Sequence, residues 1–166
     1  MCRKQAARKV FVDNIEQFSI DPSEGFGDLK FGFSTDAVQS YLGIPDEAEF
    51  LDPETETAAN WSYGRLKLDI GFLAPIIGPV CNQIAVTTFT TRHPSVTLWN
   101  NKIIGKSENK ILALFRQRGL RHSADWSIDE SDRSFGYKTF NLDTLGITLD
   151  FRHGFLRIVQ CRSLKR

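Results

Sequence analysis

The sequence predicts an α+β fold: two tandem halves, each a helix followed by an antiparallel sheet, sharing one core with the helices packed on the sheets. Three observations carry this expectation. A serine-started, glycine-stopped helical pattern occurs at Ser34–Gly43 and again at Ser107–Gly119. Each is followed by segments in which apolar and polar residues alternate, the pattern of a strand with one buried face. The order of these pieces recurs along the chain. The expected organisation is a basic N-terminal segment, 1–20, a first half, 21–92, and a second half, 93–166, forming one unit.

Residues 1–9 read as a charged tail or frayed helix, Val10 to Val12 as a short strand and Ile15 to Ile20 as a connecting segment. Asp21-Pro22-Ser23-Glu24-Gly25 is a turn cluster, and Leu29 to Phe33 has the alternation of an entering strand. The Ser34 hydroxyl can accept from an unpaired amide of the first helical turn, and Asp36 adds negative charge at its positive end. Val38, Tyr41 and Leu42 fall on one helical face, Gly43 offers a left-handed stop, and Pro45 prevents continuation.

Residues 46–57 are acidic and turn-rich and read as a loop. Trp61 and Tyr63 then alternate with polar neighbours, Gly64-Arg65 is a turn, and Leu66, Leu68 and Ile70 form the buried face of a strand. A long connection from Gly71 to Asn82 leads to a strand at Ile84 to Phe89. His93-Pro94 marks a break, and the stretch to Asn100-Asn101 reads as a linker between the halves. Ser107 is a second cap, with Ile111, Leu112, Leu114 and Phe115 as an apolar stripe and Gly119 as its stop. After a polar stretch, Ser123 to Asp132, come strands at Phe135 to Leu142 and Gly146 to Phe151, a tight turn at His153-Gly154 and a last strand at Phe155 to Cys161.

Aligned by pattern, Gly32-Phe33-Ser34 matches Gly105-Lys106-Ser107. Val38, Tyr41 and Leu42 match Ile111, Leu114 and Phe115, and Leu66 to Ile70 matches Ile147 to Phe151. Duplication has a physical rationale. One helix over three or four strands buries too little apolar area to be robust, whereas two copies share a core.

The segment Gly32-Phe-Ser-Thr-Asp-Ala-Val-Gln-Ser-Tyr-Leu-Gly-Ile-Pro45, with the Trp61/Tyr63 strand and Leu66 to Phe72, resembles the small bacterial module of the BamE lipoproteins. Doubled in tandem, the arrangement over residues 28–161 is similar to the beta-lactamase inhibitor protein fold. The second half departs from the pattern at the Leu-Gly-x-Pro corner, where Phe115 to Leu120 stands instead, and no lipobox precedes Cys2. The resemblance implies a protein-binding scaffold and brings no active-site residue.

A direct search for chemistry yields little. His93, His122 and His153 show no metal-ligand spacing with each other or with Cys2, Cys81 and Cys161, and the odd, scattered cysteines argue against a disulfide framework. Gly25-Phe26-Gly27 lacks the later glycine of a phosphate loop, and no GxxxxGK[ST] or GxSxG occurs. The acidic run at 46–56 lacks the glycine and spacing of an EF-hand. Asp69 and Asp150 occupy matching positions in the pattern alignment, on the solvated sheet face. The expectation is no catalytic, cofactor-binding or metal-binding residue.

The formal net charge is +1 and apolar residues make up 41% of the 166 residues. A near-neutral balance gives no footprint for nucleic acid or an acidic membrane. Trp61, Tyr63, Trp99, Trp126 and Tyr137 are not interleaved with a dense basic run, so they read as core or rim rather than base-stacking residues. The thirteen Phe suit a thin, sheet-based core. Basic residues gather at the ends, Arg3, Lys4, Arg8 and Lys9, then Arg162, Lys165 and Arg166, and read as solvated termini. No run approaches the ~18 apolar residues of a membrane span, so the expected compartment is the cytoplasm.

These features predict a module that binds another protein, such as an immunity protein or inhibitor, through a sheet face and hairpin loops. The alternatives are a small enzyme with a site between the halves, using Asp69, Asp150 or a histidine, and a structural or oligomerising domain. The candidate partner-binding residues are Leu73, Pro75, Ile76, Ile77 and Pro79. They lie in an apolar, proline-bounded connection whose counterpart in the second half is short.

Overall fold

Two antiparallel hairpin systems and two helices are arranged around one large sheet in the computed structural model, which describes residues 18–51, 57–74, 84–122, 124–129 and 136–164. In chain order these are β1 (Ser19–Asp21), β2 (Gly25–Phe26), β3 (Leu29–Lys30), α1 (Thr35–Leu42), β4 (Glu47–Phe50), β5 (Ala58–Tyr63), β6 (Leu68–Leu73) and β7 (Ala85–Thr91). There follow β8 (Thr97–Leu98), β9 (Asn101–Lys102), α2 (Glu108–Gln117), β10 (Ser127–Asp129), β11 (Tyr137–Leu142), β12 (Ile147–Arg152) and β13 (Phe155–Arg162). The fold is mixed α+β and mostly sheet. No helix among the described residues is long and apolar enough to cross a membrane.

The large sheet has the order β10-β11-β12-β13-β7-β6-β5-β4, all antiparallel. The order therefore runs outward through successively earlier strands on each side of the β7–β13 seam. The second sheet, β3-β2-β1-β8-β9, is built of very short strands, with β1 parallel to β8. It lies over the core side of the large sheet, where Phe26 and Phe31 meet the Phe89 ring at centroid distances of 6.1 and 5.4 Å.

Both helices form where the capping residues predict. Ser34 Oγ accepts from Ala37 N at 3.2 Å, and Gly43 leaves α1 at φ 86°. Ser107 also holds the N-cap position of α2, but its side chain caps nothing. The Glu108 amide instead donates to the Gly154 carbonyl of the β12–β13 turn at 3.1 Å, so a neighbouring backbone does the work assigned to the hydroxyl. Val38 and Leu42 of α1, and Ile111, Leu114 and Phe115 of α2, enter one continuous apolar cluster with Ile70, Phe72, Phe140, Leu149 and Phe151 of the sheet. Leu112 only flanks it. Phe115 packs between Trp126 and Phe140, at 5.6 and 6.3 Å.

Strand periodicity is legible in burial. In β6 and β12 every second residue is buried, Leu68, Ile70 and Phe72, then Ile147, Leu149 and Phe151. Each strand is entered from a 3-10 turn, Gly64–Leu66 or Asp143–Leu145, through one left-handed residue, Lys67 at φ 49° or Gly146 at φ 64°. This corrects one strand boundary: the buried face read as Leu66, Leu68 and Ile70 begins at Leu68. Leu66 is buried, but in the turn rather than the strand. Leu66 continues the period of two set by Leu68 and Ile70, which hides the boundary in the sequence.

Two further expectations are corrected. Glu47–Phe50, read as part of an acidic loop, is edge strand β4 paired to β5. Its exposed carboxylates suit an edge that must not pair with other chains. The stretch read as a linker contains the β8–β9 hairpin, turned by Trp99 and Asn100 at φ 51° and 62°. Successive positive φ values mark a type I′ turn, which Asn tolerates and which a tryptophan disguises. Arg118, just past α2, lies over the Trp99 ring at 5.3 Å and ties that hairpin to the helix. The expected strand at Val10 to Val12 lies outside the described residues.

Candidate functional site

One face of the large sheet carries the helices and the small sheet. The other is covered by no described element, and its composition follows from the strand registers. Residues directly opposite one another on paired strands share a face. Reading across all eight strands, the central row is Glu47–Ser62–Asp69–Thr90–Gln160–Thr148–Asn141–Ser127. Every member is polar, and none is buried.

Short hydrogen bonds hold this row in place. Ser62 Oγ donates to Asp69 Oδ1 at 2.7 Å, and Thr148 Oγ1 donates to Asn141 Oδ1 at 3.2 Å. In the next row Thr139 Oγ1 donates to Asp150 Oδ1 at 2.8 Å. Arg92 lies 3.8 Å from Asp69 Oδ2. Asp69 and Asp150 are thus each engaged by a hydroxyl from the strand beside it. Asp69 and Thr148 are separated by three strand spacings, about 14 Å at ~4.8 Å each, and Asp150 lies two residues further along β12. The two aspartates do not converge, so no acid–base pair is assembled from them.

Near both ends the character of the face changes. Ala58, Leu73 and Ala85 pair across β5, β6 and β7, with the Leu51 amide donating to the Ala58 carbonyl. Tyr137, Arg152 and Phe155 pair across β11, β12 and β13. Tyr137 is 41% and Phe155 46% exposed, and the Arg152 guanidinium lies 5.4 Å from the Tyr137 ring centroid. Both rows end against a helix cap: Ser34 bridges to Ala85 and Ser107 to Phe155.

Of the predicted partner-binding residues, Leu73 is the last residue of β6 and is half exposed. Its successor, Ala74, donates to the Thr57 carbonyl at 2.7 Å. Pro75, Ile76, Ile77 and Pro79 lie outside the described residues, as do Cys2, Cys81 and the basic residues at 1–9 and 165–166.

The histidines are dispersed. His93 stacks on Phe18 with centroids 3.8 Å apart, and its Nδ1 accepts from the Ser95 amide at 3.2 Å. Burial, with the Lys67 charge nearby, holds its pKa below the usual imidazole value. His122 meets Trp126 edge-on at 4.5 Å. His153 occupies the β12–β13 turn at φ 51°, followed by Gly154 at φ 78°, the two-residue hairpin expected there. No three His, Cys, Asp or Glu side chains gather among the described residues. Cys161 is buried and its thiol is pushed up to about 12.

No motif singles out Arg152 and Phe155, and Tyr137 reads from the sequence only as core or rim. The signal was parity. Once β11 and β12 are fixed by Phe140 and Leu149, the positions 137, 139 and 141, and 148, 150 and 152, must all face away from the core.

No protein-family model matches the chain, and no curated protein matches it significantly. Among solved structures, the 1.5 Å crystal structure of an extracellular protein containing a SCP domain, from Bacillus anthracis str. Ames, is similar over 80% of this chain, with TM-score 0.45 and 12% identity. The chain spans 44% of that protein's length.

Proposed function

We propose that the chain is a protein-binding module, of the immunity-protein or inhibitor kind, that receives its partner on the helix-free face of the large sheet. The observation that carries this reading is the eight-residue polar row, flanked by exposed apolar and aromatic residues. A protein interface is built in this way, with anchors among groups that hydrogen-bond without demanding charge.

The scaffold is read here as one unit used twice, with a two-fold relation passing between Thr90 and Gln160. Matching hydrogen bonds support this. Gly32 donates to Val86 and Gly105 to Leu156, both at 2.8 Å, and the return bonds run from Val86 to Phe33 and from Leu156 to Lys106. Both β7 and β13 carry one extra residue, Thr87 and Arg157, opposite the register breaks at Gly71/Phe72 and Asp150/Phe151. The likeness of the sequence to BamE-type modules and to the beta-lactamase inhibitor protein scaffold points the same way.

Affinity isolation with the tagged chain from its source cells tests the reading. The expected result is a stoichiometric protein whose binding is lost in Thr90→Arg and Ser62→Arg but kept in Lys110→Glu, on the exposed side of α2. Failure to recover such a protein, or loss of binding only in the α2 variant, overturns it.

A further inference from the structure

We propose that the row Tyr137–Arg152–Phe155 is the anchor of this face, and that it takes a carboxylate side chain flanked by an apolar one on a partner protein. The inference rests on the reading of the face as a protein-binding surface and on the two-fold relation between the halves.

The fold itself sets what these positions require. Under the two-fold relation, Tyr137, Arg152 and Phe155 stand where Ala58, Leu73 and Ala85 stand in the other half. Both rows are fixed by the same strand pairings and end on the same kind of bridge to a helix cap. Two alanines and a leucine satisfy the architecture there. A tyrosine, an arginine and a phenylalanine, all exposed, exceed what it needs.

Their chemistry is that of an interface anchor. Arg and Tyr dominate the energetics of protein interfaces, because each buries a large rigid area and offers directed hydrogen bonds. The Arg152 guanidinium lies over the Tyr137 ring. Stacking restrains the planar fork while leaving its N–H edge available. Among the described residues Arg152 forms no ion pair, so a partner's carboxylate would meet a preorganised fork, the geometry for two parallel hydrogen bonds. Arg157, the extra residue of the β13 bulge, is exposed two residues further along the same strand as Phe155.

The rest of the face selects the class of partner. Glu47, Glu49, Asp69, Asp129 and Asp150 all lie on it by register. The cations of this part of the face, Arg92 and Arg162, each already lie against an aspartate, so a polyanion such as single-stranded nucleic acid gains little there. A protein segment brings one carboxylate to the cationic end and hydrogen-bonding groups to the rest.

Selection of a random displayed-peptide library on the immobilised full-length chain tests the inference. The expected outcome is enrichment of peptides with Asp or Glu beside an aromatic or aliphatic residue. Binding of the synthetic peptide should fall at least about tenfold with Arg152→Gln, with Phe155→Ala and with Asp or Glu replaced by its amide in the peptide. Arg152→Lys, which keeps the charge but not the stacked fork, should recover only part of the loss. All three protein variants change exposed side chains, and an unshifted thermal melt confirms their folding. No enrichment, a consensus without a carboxylate, or preferential binding of single-stranded oligothymidylate overturns the proposal. Peptides blocked by Thr90→Arg but indifferent to Arg152→Gln overturn the anchor and leave the face reading standing. Peptides indifferent to both overturn the two together.

Discussion

Thr90 of β7 and Gln160 of β13 lie directly opposite each other at the centre of the eight-stranded sheet, flanked by the pairs Phe89–Cys161 and Thr91–Val159. The last strand of the chain thereby pairs with a strand some seventy residues earlier, and everything outside the seam is joined to it in local antiparallel succession. Every amide of such a central strand bonds to one neighbour or the other. Thr90→Pro removes a donor and forces a ring into a two-sided ladder. It is expected to cost about 2–4 kcal/mol, from the lost ladder bond and the strain together, a sizeable fraction of a typical domain's stability. The measurement is the urea midpoint by circular dichroism. A midpoint within error of the parent would mean that the seam is not structurally central.

The two left-handed residues that lead into β6 and β12 should respond to substitution with opposite signs. Lys67 holds φ 49° with a side chain, a conformation costing about 1 kcal/mol for a residue other than glycine. Lys67→Gly is expected to stabilise by roughly 0.5 kcal/mol after the added chain entropy is subtracted. Gly146 has φ 64°, and a Cβ there would lie 2.5 Å from the Arg162 carbonyl oxygen. Backbone cannot yield as a flexible side chain does, so Gly146→Ala is expected to destabilise by more than about 2 kcal/mol. Chemical denaturation of both variants checks the pair, and equal signs would contradict the turn geometry.

These turns also mark how far the sequence could be read. Helices α1 and α2, and strands β5, β6, β7 and β11 to β13, were legible because caps, stops and apolar alternation are local signals. The start of β6 was not, because Leu66 continues the period of two set by Leu68 and Ile70. The boundary belongs to Lys67, a left-handed residue with no visible turn signature. Edge strand β4 hid under its own glutamates, since the charges that protect an edge also resemble a loop. The candidate face was half visible. Polar alternation identified its strands, but the row Tyr137–Arg152–Phe155 exists only through pairings among residues separated along the chain, which no single-strand pattern contains.

At alkaline pH the core should lose stability through two groups. The Cys161 thiol is pushed up to about 12, chiefly by burial, and the Tyr63 phenol also to about 12, by burial and then by the Asp46 charge. In the unfolded chain these groups release their protons near 9 and 10, respectively. The folded chain therefore holds protons that the unfolded chain gives up, and stability falls as pH rises from about 9 toward 12. Urea unfolding at pH 8, 9.5 and 10.5 should show this decline, with a shallower slope in Cys161→Val. An unchanged slope in that variant would show that the thiol is not the titrating group.

The acid side is governed by a different contact. His93 stacks flat on Phe18 and uses Nδ1 as an acceptor for the Ser95 amide, an arrangement that requires the neutral ring. Protonation places a proton on the accepting nitrogen and sets the imidazolium near Lys67, which already disfavours it. Because the folded pKa lies below the ordinary value, the unfolded chain takes up the proton first, and stability is present above about pH 6.5 and lost as pH falls. The Phe18 carbonyl accepts from the Thr97 amide at 2.7 Å, so loosening of the stack should reach the β1–β8 pairing. In an NMR titration the Ser95 and Thr97 amides are expected to shift together, with a midpoint below 6.5. His93→Gln should abolish that midpoint while leaving the β12–β13 amides unmoved. A midpoint above 6.5, or titration of Ser95 without Thr97, would separate the histidine from the strand it is argued to hold.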